Sequence, residues 1–400
     1  MTLLPAGLLA SLVLAGQAAP PSGPPPQLER DRENAIASIH RRAAAVSPNT
    51  LAARLLAAEL SEIGRAYLAE GQIGRATELL SEAYGLDEED GLVLAELTLA
   101  YVRAEDFDSA RFYLHRAEEK VTRAPPEAFG VLGDVYYALH RLDDAVVAWG
   151  ECVRFGGQDP PLLRRFARAR DELALTRGQR SLAFEHFSIF ADPAVSEELV
   201  RRAGEHLEQA YRTHAEFFGA RLPGPQVVVL YAGRAYFSLV SVPDWVSGLF
   251  DGKIRVCVGP EEVVESPVVA VLSHELAHAL IRQSSRDRAP GWLHEGLAQY
   301  LEGKRLPRRE VKAALGRNAA RSIEALEGNF HRTLDRVSAR SSYAQALSLV
   351  EYLIAMRGPG AVACAVASLG EGLPMSDALQ AETGLTPAEL FVAWKAWAGI

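Results

Sequence analysis

The chain has little cysteine and methionine, three of each in 400 residues. Three thiols (Cys152, Cys257 and Cys364) exclude a disulfide-stapled scaffold and a multi-cysteine metal cluster, and leave room for one bridged pair at most. Positive charge is also in deficit. Lys and Arg number 42 against 51 Asp and Glu, a net charge of −9, which argues against a general nucleic-acid binder. Beyond the N-terminus no apolar run reaches the roughly 20 residues that a membrane-spanning helix needs. There is no phosphate-binding loop, no nucleophilic Ser or Cys constellation and no haem motif. What is present is an ordinary globular composition, 48% hydrophobic and 23% charged, which excludes a largely disordered chain. Its length suits two or three domains.

Residues 1–28 carry no charged side chain, and Leu3 to Ala15 is almost wholly apolar. Gly16-Gln17-Ala18-Ala19 supplies small residues for cleavage, so 1–19 reads as a secretory signal peptide. The competing reading is an uncleaved anchor. Residues 20–30 begin with a Pro-rich run that suits an extended linker. The expectation is an exported protein, periplasmic or secreted and of bacterial type, with no membrane span after cleavage.

Residues 31–178 are rich in Ala, Leu, Glu and Arg at helical spacing, and a period emerges on self-comparison. Tyr67, Tyr101 and Tyr136 recur at steps of 34 and 35, as do Ala76, Ala110 and Ala145. Leu80, Leu114 and Trp149 keep the same steps, as do Ala83, Ala117 and Cys152. Short turns at Glu70-Gly71-Gln72, Glu105-Asp106-Phe107 and His140-Arg141-Leu142 divide each unit into two helices. The pattern resembles the tetratricopeptide repeat (TPR), in which small residues let paired helices approach and large ones fill the gap. It departs at Thr98, where the first unit has Gly64. Pro160 to Gly178 reads as a polar capping helix. The resemblance implies a groove for a protein partner, or else a module that only positions the second domain.

From Ser181 the pattern changes. Ala183 to Phe190 alternates as a strand, Pro193 to Phe218 is an amphipathic helix ending at Gly219, and Gln226 to Tyr231 is a β-branched central strand. Trp245 to Phe250 and Lys253 to Val258 flank Asp251-Gly252, a hairpin signal. A mixed sheet followed by helices predicts an α+β domain over 181–400. The next helix has Ser266 as cap and Pro267 at its first position. It carries His274-Glu275-x-x-His278. Four residues are just over one turn, so both imidazoles leave one face and can share an ion, for which zinc is suited. Glu275 is rotated about 100° from His274, beside the ion. A catalytic zinc site needs a third ligand and an open position. Glu295, on a following helix opened by Pro290-Gly291-Trp292, lies 17 residues past His278. Gln299, one turn further on, could hold His274 through its second ring nitrogen.

The run from His274 to Leu301 resembles the gluzincin metallopeptidases, and most of all the peptidase-MA-like domain, with its Trp-Leu-x-Glu-Gly-Leu-Ala segment. The resemblance extends from about Phe184 to Trp397 and includes Ser342-Tyr343-Ala344-Gln345-Ala346 and Thr383-Gly384-Leu385. It implies that His274, His278 and Glu295 bind one Zn2+, and that Glu275 is the general base for a zinc-held water attacking a peptide carbonyl. Tyr343 becomes the candidate oxyanion donor, with a packing role as its alternative and Tyr300 and Tyr352 as weaker choices. Gluzincins often have a carboxylate where Gln299 stands, so its role is the less secure. His294 reads as cleft-lining, and Lys304-Arg305 with Arg308-Arg309 as a solvated loop.

The hairpin strand Lys253–Val258 is expected to pair, as an edge, with an extended substrate. No Gly-x-Met-Glu-Asn-like run precedes it, so the resemblance implies an endopeptidase. The fold class is therefore a TPR-like helical solenoid followed by an α+β zincin-type domain. Two functions compete: a zinc metallopeptidase acting on peptide or protein, and a catalytically inactive interaction scaffold of the same shape.

Overall fold

The computed structural model describes residues 10–13, 26–243, 245–259, 266–315, 320–328 and 336–400. They fall into two compact units, one over residues 26–177 and one over residues 178–400 together with 10–13.

The first unit is all helix: α1 (Pro26–Ala43), α2 (Leu51–Ala69), α3 (Ile73–Leu86), α4 (Gly91–Arg103), α5 (Phe107–Lys120), α6 (Pro126–Ala138), α7 (Leu142–Arg154) and α8 (Pro160–Leu175). Helix α1 opens at Pro26, inside the stretch expected to be linker, with proline in the first turn where its missing N–H costs nothing. The repeat is a run of helical hairpins, α2 with α3, α4 with α5 and α6 with α7. In each hairpin the turn residue is left-handed: Gly71 (φ 76°), Glu105 (φ 61°) and His140 (φ 58°). Thr50, Asp90, Asp106 and Asp159 accept backbone N–H bonds at the starts of α2, α4, α5 and α8.

The period has a steric cause. A Cβ on Gly64 would lie 2.9 Å from Leu80 Cγ, and one on Gly133 only 2.4 Å from Trp149 Cδ1. In the first and third hairpins the glycine and the large residue are therefore complementary. In the middle hairpin Thr98 takes the glycine position opposite Leu114; it is fully buried and donates its hydroxyl to the Leu94 carbonyl at 2.7 Å.

The second unit has a six-stranded sheet: β1 (Ala10–Val13), β2 (Arg180–Ala183), β3 (Phe187–Ala191), β4 (Gln226–Ala232), β5 (Val246–Phe250) and β6 (Ile254–Val258), in the order β1-β5-β6-β4-β3-β2. Strands β3, β4 and β6 run parallel, while β2 with β3 and β5 with β6 are antiparallel. Of the segment expected to be a signal peptide, only residues 10–13 are described. They form a strand parallel to β5.

Two expectations need correction. Ala183 to Phe190 is not one strand but a β2–β3 hairpin, turned at Phe184-Glu185-His186, because the Glu208 carboxylate binds both the backbone and the ring of His186. Strand β6 is not an edge: it lies between β5 and β4, and every residue of it is buried. No cysteine pair is bridged; Cys152 and Cys257 are buried thiols and Cys364 is exposed. The burial of β6 includes the charged Arg255. Its guanidinium donates to Asp251 at 3.0 Å and to the Tyr231 hydroxyl at 2.6 Å, and lies over the Tyr236 ring, so the charge is paired.

Nine helices are described in this unit: α9 (Glu197–Phe218), α10 (Ala235–Leu239), α11 (Ser266–Ser285), α12 (Gly291–Leu301), α13 (Arg308–Leu315), α14 (Arg336–Arg357), α15 (Pro359–Glu371), α16 (Met375–Thr383) and α17 (Pro387–Ala398). Gly219 (φ 58°) ends α9 as the sequence indicates, but the helix starts at Glu197 rather than Pro193, with Ser196 as its cap. Helix α11 begins at Ser266, though the expected Ser266-Pro267 cap itself lies outside the described side chains. It packs on β5, β6 and α9, and α12 packs between α11 and α14. Among the described residues no single helix is long and apolar enough to cross a membrane.

Candidate active site

Helix α11 is buried nearly all round, with Val271, Leu272, Leu276 and Leu280 in the core. This holds the spacing of His274 and His278 rigid. The two rings lie edge to face, 4.8 Å between centroids. Helix α12 then brings up Glu295. Ligand atoms of His274, His278 and Glu295 all lie within 4.8 Å of one another, and all three side chains are buried. Glu295 Oε2 is 3.4 Å from His274 Nε2 and 3.7 Å from His278 Nε2.

These residues fit a zinc ion. Zinc bonds of about 2.0–2.1 Å in a tetrahedron put ligand atoms roughly 3.3 Å apart, close to the separations seen. His274 Nε2 and Glu295 Oε2 are buried without a hydrogen-bond partner among the described residues, which is costly unless something else satisfies them. Burial opposes a proton on His274, but Glu302 and Glu295 outweigh it and raise its pKa to about 9. The cluster calls for positive charge.

Close approach is built in by glycine. Gly296, next to Glu295, lies where α12 crosses α14; a Cβ there would come 2.4 Å from the Ala346 carbonyl oxygen. Gly248 on β5 faces Glu275, and a Cβ on it would be 2.2 Å from Glu275 Oε1. Glu275 is fully buried, so its carboxylate is held between α11 and β5. His214 on α9 braces the residue before His274, with its Nε2 3.2 Å from the Ser273 carbonyl and 3.1 Å from the Ser273 hydroxyl. Burial pushes the His214 pKa down to about 4, so the ring is neutral at physiological pH.

Tyr343 on α14 is buried within range of both carboxylates. Burial first, then Glu295 and Glu275, raise its pKa well above the usual phenol value, which keeps the hydroxyl protonated and able to donate. The Trp245 ring meets it edge on, 6.4 Å between centroids.

Three expectations are revised here. Gln299 does not hold His274. Its amide donates to the backbone oxygens of Glu295 and Tyr343, each at 3.0 Å, and so ties α12 to α14. The partner of His274 is Glu302, whose Oε2 lies 2.7 Å from Nδ1. The signal for it was in the sequence: Glu302 is seven residues past Glu295, two helical turns along the same face. His294 is not simply cleft-lining either. It is 7% exposed, and its Nδ1 lies 3.4 Å from His278 Nδ1. Burial, then Arg282, lowers its pKa to about 4, so a neutral His294 can accept a hydrogen bond from His278 Nδ1–H and leave Nε2 of His278 facing the cluster. Lys304 is also more than a solvated charge, since it pairs with Glu302.

No curated protein matches the chain. Among solved structures, one similar chain is titled the TPR2AB-domain:pHSP90-complex of yeast Sti1. It is 14% identical, covers 82% of this chain and 99% of its own, and has a TM-score of 0.26, too low to bear on fold or function. Residues 207–399, which begin within α9 and include every residue of the His274–His278–Glu295 cluster, match the family model of the Peptidase MA superfamily.

Proposed function

We propose that the protein is an exported zinc-dependent metallopeptidase, probed most directly at His274, His278 and Glu295, with the helical repeats as a docking arm for a protein partner or substrate. The observation that carries the reading is the convergence of two imidazoles and one carboxylate beside the Glu275 carboxylate, with His274 Nε2 and Glu295 Oε2 buried and without a hydrogen-bond partner among the described residues. The match of residues 207–399 to the Peptidase MA superfamily supports a peptidase class. Export rests on the uncharged, apolar N-terminal segment, and sequencing the N-terminus of the mature protein tests it.

His274 Nε2, His278 Nε2 and a Glu295 oxygen would hold the ion. Bound there, zinc supplies Lewis-acid polarisation and brings the pKa of a water toward neutrality. The chain's own groups do the rest. Glu275 takes a proton from the attacking water and delivers it to the leaving amine. Tyr343 donates a hydrogen bond to the oxygen on which negative charge develops. Glu302 and His294 each engage the Nδ1 of a ligand histidine and so fix its tautomer.

The test is zinc content together with cleavage of a peptide library by the purified protein, with Glu275→Gln as control. Stoichiometric zinc, cleavage by the wild type and none by Glu275→Gln are expected. Equal cleavage by both would remove Glu275 from the mechanism. Zinc without cleavage in the wild type would favour the inactive scaffold.

A further inference from the structure

Three carboxyl groups, those of Glu275, Glu295 and Glu302, are buried in and around the cluster, and once ionised they carry one more negative charge than a zinc dication offsets. The third needs a cation of its own, because a net charge buried at low dielectric is costly. The chain supplies one through a local turn. Helix α12 ends at Glu302, and Gly303 follows with φ 95°, a left-handed conformation that glycine adopts without strain. That turn bends the backbone so that the Lys304 N–H reaches the Gln299 carbonyl at 3.0 Å. The Lys304 ammonium then pairs with Glu302 Oε1, while Glu302 Oε2 holds His274 Nδ1 at 2.7 Å. The Glu302 carboxylate is 1% exposed and the Lys304 side chain 37%, so the pair runs from a buried ligand out to solvent.

We infer that Lys304, Glu302 and His274 form a positioning relay. Glu302 fixes His274 with Nε2 toward the ion, and Lys304 acts through Glu302 to neutralise the third carboxylate. Position 299, one turn after Glu295, is thereby free for a neutral glutamine that ties α12 to α14. This inference rests on the zinc reading above.

Zinc affinity of the full chain, measured by competition with a chromophoric chelator, tests the relay without relying on catalysis. Glu302→Ala should weaken zinc binding about 10- to 100-fold, the usual effect of losing the outer partner of a ligand histidine. Glu302→Gln, which keeps an acceptor but no charge, should fall between that and the wild type. Lys304→Met should weaken binding several-fold in the wild-type background and not at all in the Glu302→Gln background; that non-additivity marks a residue acting through its neighbour. Apo-protein circular dichroism and melting serve as the folding control, and Glu302→Gln replaces Glu302→Ala should the latter not fold. Glu302→Gln affinity within twofold of the wild type would overturn the role of Glu302. Equal effects of Lys304→Met in both backgrounds would overturn the relay. A folded wild type that binds no zinc would instead remove the metal reading and, with it, this role.

Discussion

At the scale of single residues, the site depends on small clearances. Gly248 illustrates this, because one added methyl group would overlap the Glu275 carboxylate. Gly248→Ala should keep stoichiometric zinc yet lose peptide hydrolysis by about 100-fold or more, since displacing a catalytic group by an ångström has that scale of effect. Metal analysis and turnover on the same preparation check it. The Tyr343 hydroxyl is predicted to act only where charge develops. Tyr343→Phe should therefore lower kcat about 10²–10³-fold with little change in KM or zinc content, as measured by steady-state kinetics. A loss confined to melting temperature would instead assign Tyr343 to packing.

At the scale of elements, the site is a meeting of helices whose separation is set by glycine and small side chains. The α12–α14 crossing at Gly296 fixes the depth of Glu295 in the cleft. Gly296→Ala should cost about 1–3 kcal/mol through overpacking, a fall of several degrees in melting temperature, and should reduce bound zinc because Glu295 is the adjacent residue. Calorimetry and metal analysis check both. The repeat hairpins obey the same rule with different partners: glycine faces leucine in one and tryptophan in another.

At the scale of the whole molecule, each unit has its own buried core, and that of the repeats contains a titratable group. In the repeats, burial pushes the Glu96 carboxyl up to about 7 from an ordinary 4.5, against the opposing pull of the Ser61 hydroxyl and Arg65. The folded form thus holds a proton that the unfolded chain releases sooner. Its contribution is complete below the unfolded pKa and is lost as pH rises through about 7. Urea denaturation should show the repeats losing on the order of 3 kcal/mol between pH 4.5 and 8, and Glu96→Gln should flatten that slope. A slope unchanged in the variant would assign it to other groups. Because residues 178–400 carry the cluster within their own unit, deletion of 26–177 should leave turnover of short peptides largely intact while cleavage of a protein substrate falls, measured side by side.

Periodicity and spacing in the sequence determined what is local. The 34- and 35-residue steps follow from Gly64, Gly133 and the large residues packed against them. The shared face of His274 and His278 follows from their spacing of four residues, just over one helical turn. The β5–β6 hairpin follows from Asp251-Gly252, and the end of α9 from Gly219. Only the tertiary structure decided which distant side chains meet. Gln299 and Glu302 lie on the same face of one helix and are both able to reach a histidine, but the α14 backbone captures Gln299 and leaves His274 to Glu302. Likewise the β6 sequence does not mark it as an interior strand; pairing with β5 on one side and β4 on the other makes it so. A helical or strand period records how a residue faces within its own element. Its partner depends on how elements far apart in the chain pack, and that is a property of the folded whole.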